Sequence, residues 1–262
     1  MTIAVPWQDT TGVTVITFGD SEPDVFQLIC SRLRERAAGQ DLFVDVGANL
    51  GVFSLRVAER FPECQVIAFE PDPELATLLC HNARVHGLAE KIDLREVALG
   101  ERDVEARLTT VAGDSGLSSL RSDGSVGIPV RVRRLATELT LAEWKRVAVM
   151  KIDVEGYELG VFRGAEPLFA QHLPVMVFEV NRPELRAHGV DPRELGDFLR
   201  RVGYEQLLAL NGVLYPPENG LYEVCNLVAL PTEARAFAGQ HGFDPHFRPQ
   251  PESMWPTVQY PV

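Results

Sequence analysis

A chain of 262 residues carries one large domain with a buried core, or such a domain with short appendages. Its hydrophobic content of 45% and charged content of 24% are ordinary for a globular protein, and its net charge of -12 argues against a non-specific nucleic-acid binder, which needs clustered Lys and Arg. The four cysteines, Cys30, Cys64, Cys80 and Cys225, form no CxxC pair and read as buried small hydrophobes in a reducing compartment; with no signal-peptide pattern and no apolar run near the roughly 18 residues of a membrane span, the expectation is a cytoplasmic protein with no membrane partner.

In chain order, Thr14 to Phe18 reads as a short strand, and Ser21-Glu22-Pro23-Asp24 opens a helix through about Ala37. Residues 1–40 are therefore expected as an appendage to a domain spanning 41–230. Leu42 to Val46 is an apolar strand, Leu50 to Arg60 an amphipathic helix ending before Pro62, Gln65 to Phe69 a second buried strand, and Pro73 to His86 a helix stopped by Gly87. Ile92 to Val97 is a third strand. Short strands are predicted at Arg107 to Thr110 and Ile128 to Arg134, flanking a Gly/Ser-rich loop from Gly113 to Gly127. Arg131, Arg133 and Arg134 read as the solvated face of the second of these. Strands at Val147 to Ile152 and Pro174 to Val180 enclose a helix from Tyr157 to Ala170. A helix from Pro192 to Val202 and strands at Glu205 to Leu210 and Tyr222 to Leu230 complete the domain. Residues 231–262, rich in proline and aromatics, form a tail read as folding over a crevice or packing on a second subunit of a homodimer. The alternation of strand and helix predicts an α/β fold with right-handed crossovers and a parallel sheet.

The most informative stretch is Phe43-Val44-Asp45-Val46-Gly47-Ala48-Asn49-Leu50-Gly51, a buried strand joined to a helix by a turn of bare backbone. Started at Gly47, the dinucleotide pattern GxGxxG fails at Asn49 and Val52, which leaves a looser turn suited to S-adenosylmethionine. Glu70, at the end of the second strand, lies where a carboxylate meets ribose hydroxyls, with helix capping as the alternative. Val97-Ala98-Leu99 forms a small apolar turn suited to a purine or to core packing alone. Asp153 and Glu155 follow the fourth long strand and Glu179 ends the fifth, so the carboxyl ends of four strands, counting Asp45 and Glu70, deliver acids to one rim.

Together these residues resemble the FkbM-type methyltransferases, a family that uses S-adenosyl-L-methionine. The resemblance is carried by Phe43 to Gly51, Ala68 to Asp72 with Asn82, Val97 to Gly100, Ser115-Gly116-Leu117-Ser118-Ser119, and Lys151 to Glu158 with Gly164-Ala165. It implies a Rossmann-like class I methyltransferase fold, a seven-stranded mostly parallel sheet with helices on both faces and an antiparallel last strand. It further implies that Asp45, Gly47, Ala48, Asn49 and Gly51 hold the methionine part of the cofactor, Glu70 with Pro71 the ribose, and Val97, Ala98 and Leu99 the adenine. Methyl transfer to a hydroxyl on a sugar or secondary metabolite follows from the same resemblance. Ser115 and Ser119 are read either as contacts to the cofactor or acceptor or as an exposed turn.

In-line methyl transfer needs alignment and removal of a proton, and Asp153 or Glu155 is the expected base or orienting group, with Glu158 and Glu179 behind it. No metal is assigned; the alternative is a magnesium ion on the same acids, bridging to a substrate diol. His81 and His86 are expected to face away from the crevice, His172 and His188 to lie near it, and His241 and His246 to lie in the tail. A structural role is the better reading for each. Two competing classes remain: an NAD(P)-dependent oxidoreductase, against which the failed GxGxxG counts, and a binding protein that kept the fold without catalysis. A nucleic-acid amino methyltransferase is disfavoured, since the chain has no Asn/Asp-Pro-Pro-aromatic tetrapeptide to seat a flipped base.

Overall fold

The structure, a computed structural model, describes residues 3–5, 22–36, 41–111, 114–121, 127–209, 224–231 and 234. Its strands are β1 (Leu42–Val46), β2 (Gln65–Phe69), β3 (Ile92–Arg95), β4 (Ala98–Leu99), β5 (Val104–Val111), β6 (Asp114–Arg121), β7 (Ile128–Arg133), β8 (Val147–Ile152), β9 (Val175–Asn181), β10 (Tyr204–Ala209) and β11 (Val224–Pro231). Its helices are α1 (Pro23–Glu35), α2 (Val52–Arg60), α3 (Pro73–Val85), α4 (Leu135–Glu138), α5 (Leu141–Arg146), α6 (Glu158–Phe169), α7 (Arg182–Ala187) and α8 (Pro192–Val202).

Every residue of β1 and of β8 is buried, which explains why both read as unbroken apolar runs: strands with helices on both faces have no solvent side. They lie at the centre of a seven-stranded sheet in the order β10-β11-β9-β8-β1-β2-β3, in which only the pairings of β11 are antiparallel. This is the expected seven-stranded, mostly parallel sheet, with its last strand antiparallel. One face packs Phe43, Val149, Val177 and Val228 against Ile29 of α1 and Leu55 of α2. The other packs Val44, Met150 and Phe178 against Phe162 of α6 and Phe198 of α8. Among the described residues no helix is long and apolar enough to cross a membrane.

Three expectations need correction. The third strand stops at Arg95, because Ala98 and Leu99 leave the main sheet to pair with Val132 and Arg133 in a second, four-stranded sheet of order β4-β7-β5-β6. The expected loop from Gly113 to Gly127 contains β6, which pairs antiparallel with β5 at Leu108–Leu120 and Thr109–Ser119. Its Ser/Gly composition gives no strand signal; the ladder with β5 supplies the structure instead. Between β7 and β8 stand two short helices that the sequence reading passed over. The second has a full capping box, Thr140 accepting from the Glu143 N–H while the Glu143 carboxylate accepts from Thr140. The expected strand at Thr14 to Phe18 and the tail lie outside the described residues.

Candidate cofactor and acceptor site

The glycine turn is built by close approach of three strand ends. Gly47 and Ala48 both donate backbone N–H bonds to the Phe69 carbonyl at 3.0 Å, tying the turn to β2. At Gly47, with φ of +76°, a Cβ would lie 1.9 Å from the Asp153 carbonyl oxygen, so only glycine lets β1 meet the end of β8 here. Asn49 takes a left-handed φ of 51° and donates its N–H to Glu70 Oε2 at 2.7 Å. Ala48 and Gly51 are buried and shape the turn rather than line the cleft beside it.

That cleft has a volume of about 690 Å³ with its open mouth included. Its walls include the predicted Gly47, Asn49, Glu70, Pro71, Val97, Ala98, Leu99, Asp153 and Glu155. Val46, Phe69, Leu75, Leu108 and Val154 complete its apolar part, and Leu108 comes from the second sheet. Sequence reasoning missed Leu75 and Leu108, which no motif marks. Ser115 and Ser119 stand on β6, whose side chains lie outside the described residues, so the expected contact does as well.

Glu70 is 5% exposed and accepts from the N–H groups of Asn49 and Asp72. Burial pushes its carboxyl up to about 7, against the lowering by those two N–H bonds. The capping role open to Glu70 belongs to Asp72, which accepts from the N–H groups of Glu74 and Leu75 at the start of α3. Asp45 is 1% exposed. Its Oδ2 accepts from Ser54 Oγ at 2.6 Å, while Oδ1 has no partner among the described residues. Asp45 thus anchors α2 beneath the turn and does not line the cleft. Asn82, quoted only as part of the resemblance, exchanges two hydrogen bonds with the backbone of Ala4 and donates to the Leu50 carbonyl, clamping residues 3–5 beside the same turn.

At the other end, Asp153, Glu155 and Glu179 each offer a carboxylate oxygen, all within 4.8 Å of one another, a spacing open to a hard cation. Glu155 is pushed up to about 9 by burial and then by Asp153 and Glu179, and Glu179 up to about 8 by burial and then by Asp153 and Glu158. Both therefore favour the protonated form near neutrality. Glu158 is fully buried beneath the loop, its Oε1 accepting from Gly156 N at 3.2 Å, and burial raises it to about 7. Lys151 donates to Asp153 Oδ2 at 2.9 Å, and Asn181 Nδ2 reaches Glu155 Oε2 at 3.4 Å. Neither residue was given a role from sequence. The Lys-x-Asp spacing that puts both on one side of a strand is the signal that was there to read.

The histidines divide differently than expected. His172 Nε2 lies 2.8 Å from the Val147 carbonyl, at the amino end of β8, where its ring packs on Trp144. It sits away from the crevice because the connection from α6 to β9 returns to the opposite end of the sheet. His188 remains on the crevice side, edge-on to Tyr157 at 5.6 Å. His81 is exposed and His86 half-buried on α3 and its cap; His241 and His246 lie outside the described residues.

Residues 45–205 match the family model of the methyltransferase FkbM domain. The match runs from the acid of the glycine turn through all of the acid cluster. Methyltransferase 1 of Beauveria bassiana is 28% identical over 47% of this chain and 57% of its own length. The hexuronic acid methyltransferase AglP of Haloferax volcanii is 28% identical over 68% of this chain and 67% of its own length. The 2-O-methyltransferase NoeI of Sinorhizobium fredii is 25% identical over 48% of this chain and 57% of its own length. The chain thus spans little more than half of two of these relatives.

Proposed function

The chain belongs to the FkbM methyltransferase family, and from that premise we propose that it transfers the methyl group of S-adenosyl-L-methionine to a hydroxyl of a sugar or secondary metabolite. The observation that carries the reading is a single cleft with an apolar slot at Val97, Ala98, Leu99 and Leu108, an acceptor of hydrogen bonds at Glu70, and carboxylates at Asp153 and Glu155. The residues present fit the cofactor: the slot takes a purine, Glu70 takes hydroxyl donors, and the Asp153 carboxylate at the cleft wall favours a cation near the turn. A nicotinamide dinucleotide finds no second and third glycine, because Asn49 and Val52 stand in their places.

When bound, the cofactor supplies an electrophilic methyl group. The chain's own part is to exclude water, hold the acceptor in line and take its proton. Asp153 is the proton acceptor in this reading. Glu155 and Glu179, raised to about 9 and about 8, serve as hydrogen-bond donors that orient the acceptor. A hydroxyl acceptor is supported by the likeness to NoeI, a 2-O-methyltransferase, and a sugar substrate by the likeness to AglP, a hexuronic acid methyltransferase.

The test is a labelled-methyl assay over glycosides and polyketides, with binding of adenosylhomocysteine followed separately by calorimetry. Asp153→Asn is expected to lose roughly 100-fold or more in turnover while retaining adenosylhomocysteine. Full activity in Asp153→Ala would sink the base assignment, and binding of a nicotinamide dinucleotide in place of adenosylhomocysteine would sink the class. A rate that survives dialysis against a chelator leaves the acids to act without a metal.

A further inference from the structure

The strand period that builds the core on the α1 and α2 face also builds a charge cluster at its end. Val149 and Lys151 alternate with residues of the opposite face, and Lys151 stands in register with Asp45 on β1 and with Val177 on β9. Two residues on, the Asp153 N–H continues the ladder by donating to the Val46 carbonyl at 3.0 Å. Glu179 follows Val177 by the same step, opposite Asn226 of β11. Apolar packing therefore gives way, one residue pair later, to Asp45, Lys151, Asp153, Glu179 and Asn226 on a single face.

Within this group Lys151 is 5% exposed and does not line the cleft, whereas Asp153 does. The ammonium is held from several sides. It donates to Asp153 Oδ2 at 2.9 Å and lies 4.8 Å from the centre of the Phe53 ring on α2. Its charge is balanced by Asp153, by Glu22 at the start of α1, and by Asp45. Glu22 is itself held by Asn226 Nδ2 at 2.7 Å. A lysine placed for stability alone has no need of this depth, since exposed ion pairs contribute little and buried ones often break even.

We infer that Lys151 is a positioning residue for methyl transfer: its buried ammonium holds Asp153 Oδ2 and so presents the second carboxylate oxygen to the acceptor hydroxyl at the cleft wall. The inference rests on the proposed role of Asp153. Catalytic alignment is sensitive to displacements of about 1 Å, and Asp153 sits on a loop whose next residues, Glu155 with φ of 50° and Gly156 with φ of 89°, turn sharply away from the strand. The contact from Lys151 fixes the side chain where the ladder ends.

The test uses Lys151→Met, with Lys151→Gln in its place should the first fail to fold, and Lys151→Arg as the charge-retaining control. Crystal structures of each with adenosylhomocysteine read the Asp153 rotamer directly, independently of any acceptor. Asp153 is expected in its original rotamer in the wild type and the Arg variant, and displaced in the Met or Gln variant. With the acceptor found by the labelled-methyl screen, turnover of the neutral variant falls roughly 100-fold, with KM for the cofactor and the affinity for adenosylhomocysteine unchanged, and Lys151→Arg restores part of it. An unmoved Asp153, or wild-type turnover in a neutral variant whose Asp153→Asn counterpart is dead, overturns the inference and leaves the functional reading standing. An equal fall in turnover and in adenosylhomocysteine affinity overturns it too, by showing a general structural role. Full activity of Asp153→Asn is the separate result that removes the reading on which it rests.

Discussion

Glu155, Glu179, Glu158 and Glu70 hold their protons more tightly than they do in an unfolded chain, at about 9, about 8, about 7 and about 7, each chiefly because burial disfavours the charged form, and burial raises Asp45 beside them. The sign of the linkage follows. The folded chain binds more protons than the unfolded one between the ordinary carboxyl value, roughly 4.3, and about 9. Folded stability is therefore greatest at the lower end of that window and is lost as pH rises through it. This opposes ordinary acid denaturation, in which paired carboxylates destabilise the fold on protonation. Thermal unfolding of the ligand-free protein from pH 6 to 9 should give a falling midpoint, and Glu155→Gln, a neutral side chain of the same shape, should flatten the fall above pH 8. A midpoint that climbs over this range places the four acids in water.

At the scale of elements, the central feature is the contact of two strand ends at Gly47. Gly47 and Gly87 share a left-handed φ, +76° and +68°, so a Cβ strains both by about 1–2 kcal/mol. Only at Gly47 does that Cβ meet backbone, 1.9 Å from the Asp153 carbonyl oxygen, whereas at Gly87 nothing lies within 4 Å. Gly47→Ala should thus lose more stability in urea than Gly87→Ala, and should lose methyl transfer, because relief of the clash moves Asp153. Equal costs in the two variants would remove the argument from close approach. This turn was legible in the sequence, as were the buried parallel strands, because both follow from local pattern: continuous apolar runs, an acid, and glycines at fixed places. β6 was not legible, since Asp114–Arg121 is a strand only through its ladder with β5. Nor was the placing of Lys151 beside Asp45, which depends on register between β1 and β8, or the burial of Asp45 under Ser54. His172 was misplaced for a simpler reason: a residue between helix and strand can lie at either end of the sheet until the direction of each element is followed through. Trp144 went unremarked, yet its indole N–H donates to the Leu168 carbonyl at 2.8 Å, buried at the base of the same sheet.

Across the whole molecule, the crevice joins loops from β1, β2, β3, β8 and β9, so anything bound there crosslinks segments between Gly47 and Glu179 and binds only the folded chain. Saturation at about 100 times Kd stabilises a native state by about 2.7 kcal/mol, whatever the ligand. Charge distinguishes two ligands that are otherwise alike: adenosylmethionine carries a sulfonium cation, and adenosylhomocysteine is neutral at sulfur. With Glu155 and Glu179 largely protonated at pH 7 and ionising toward pH 9, the negative charge facing the sulfur end grows over that interval. The affinity for adenosylmethionine relative to adenosylhomocysteine should therefore rise with pH, and with it the difference between their thermal shifts at equal concentration. Glu155→Gln should shrink that rise. A ratio of affinities that stays constant from pH 7 to 9 in calorimetry would place the sulfonium away from the acid cluster, and the acceptor with it.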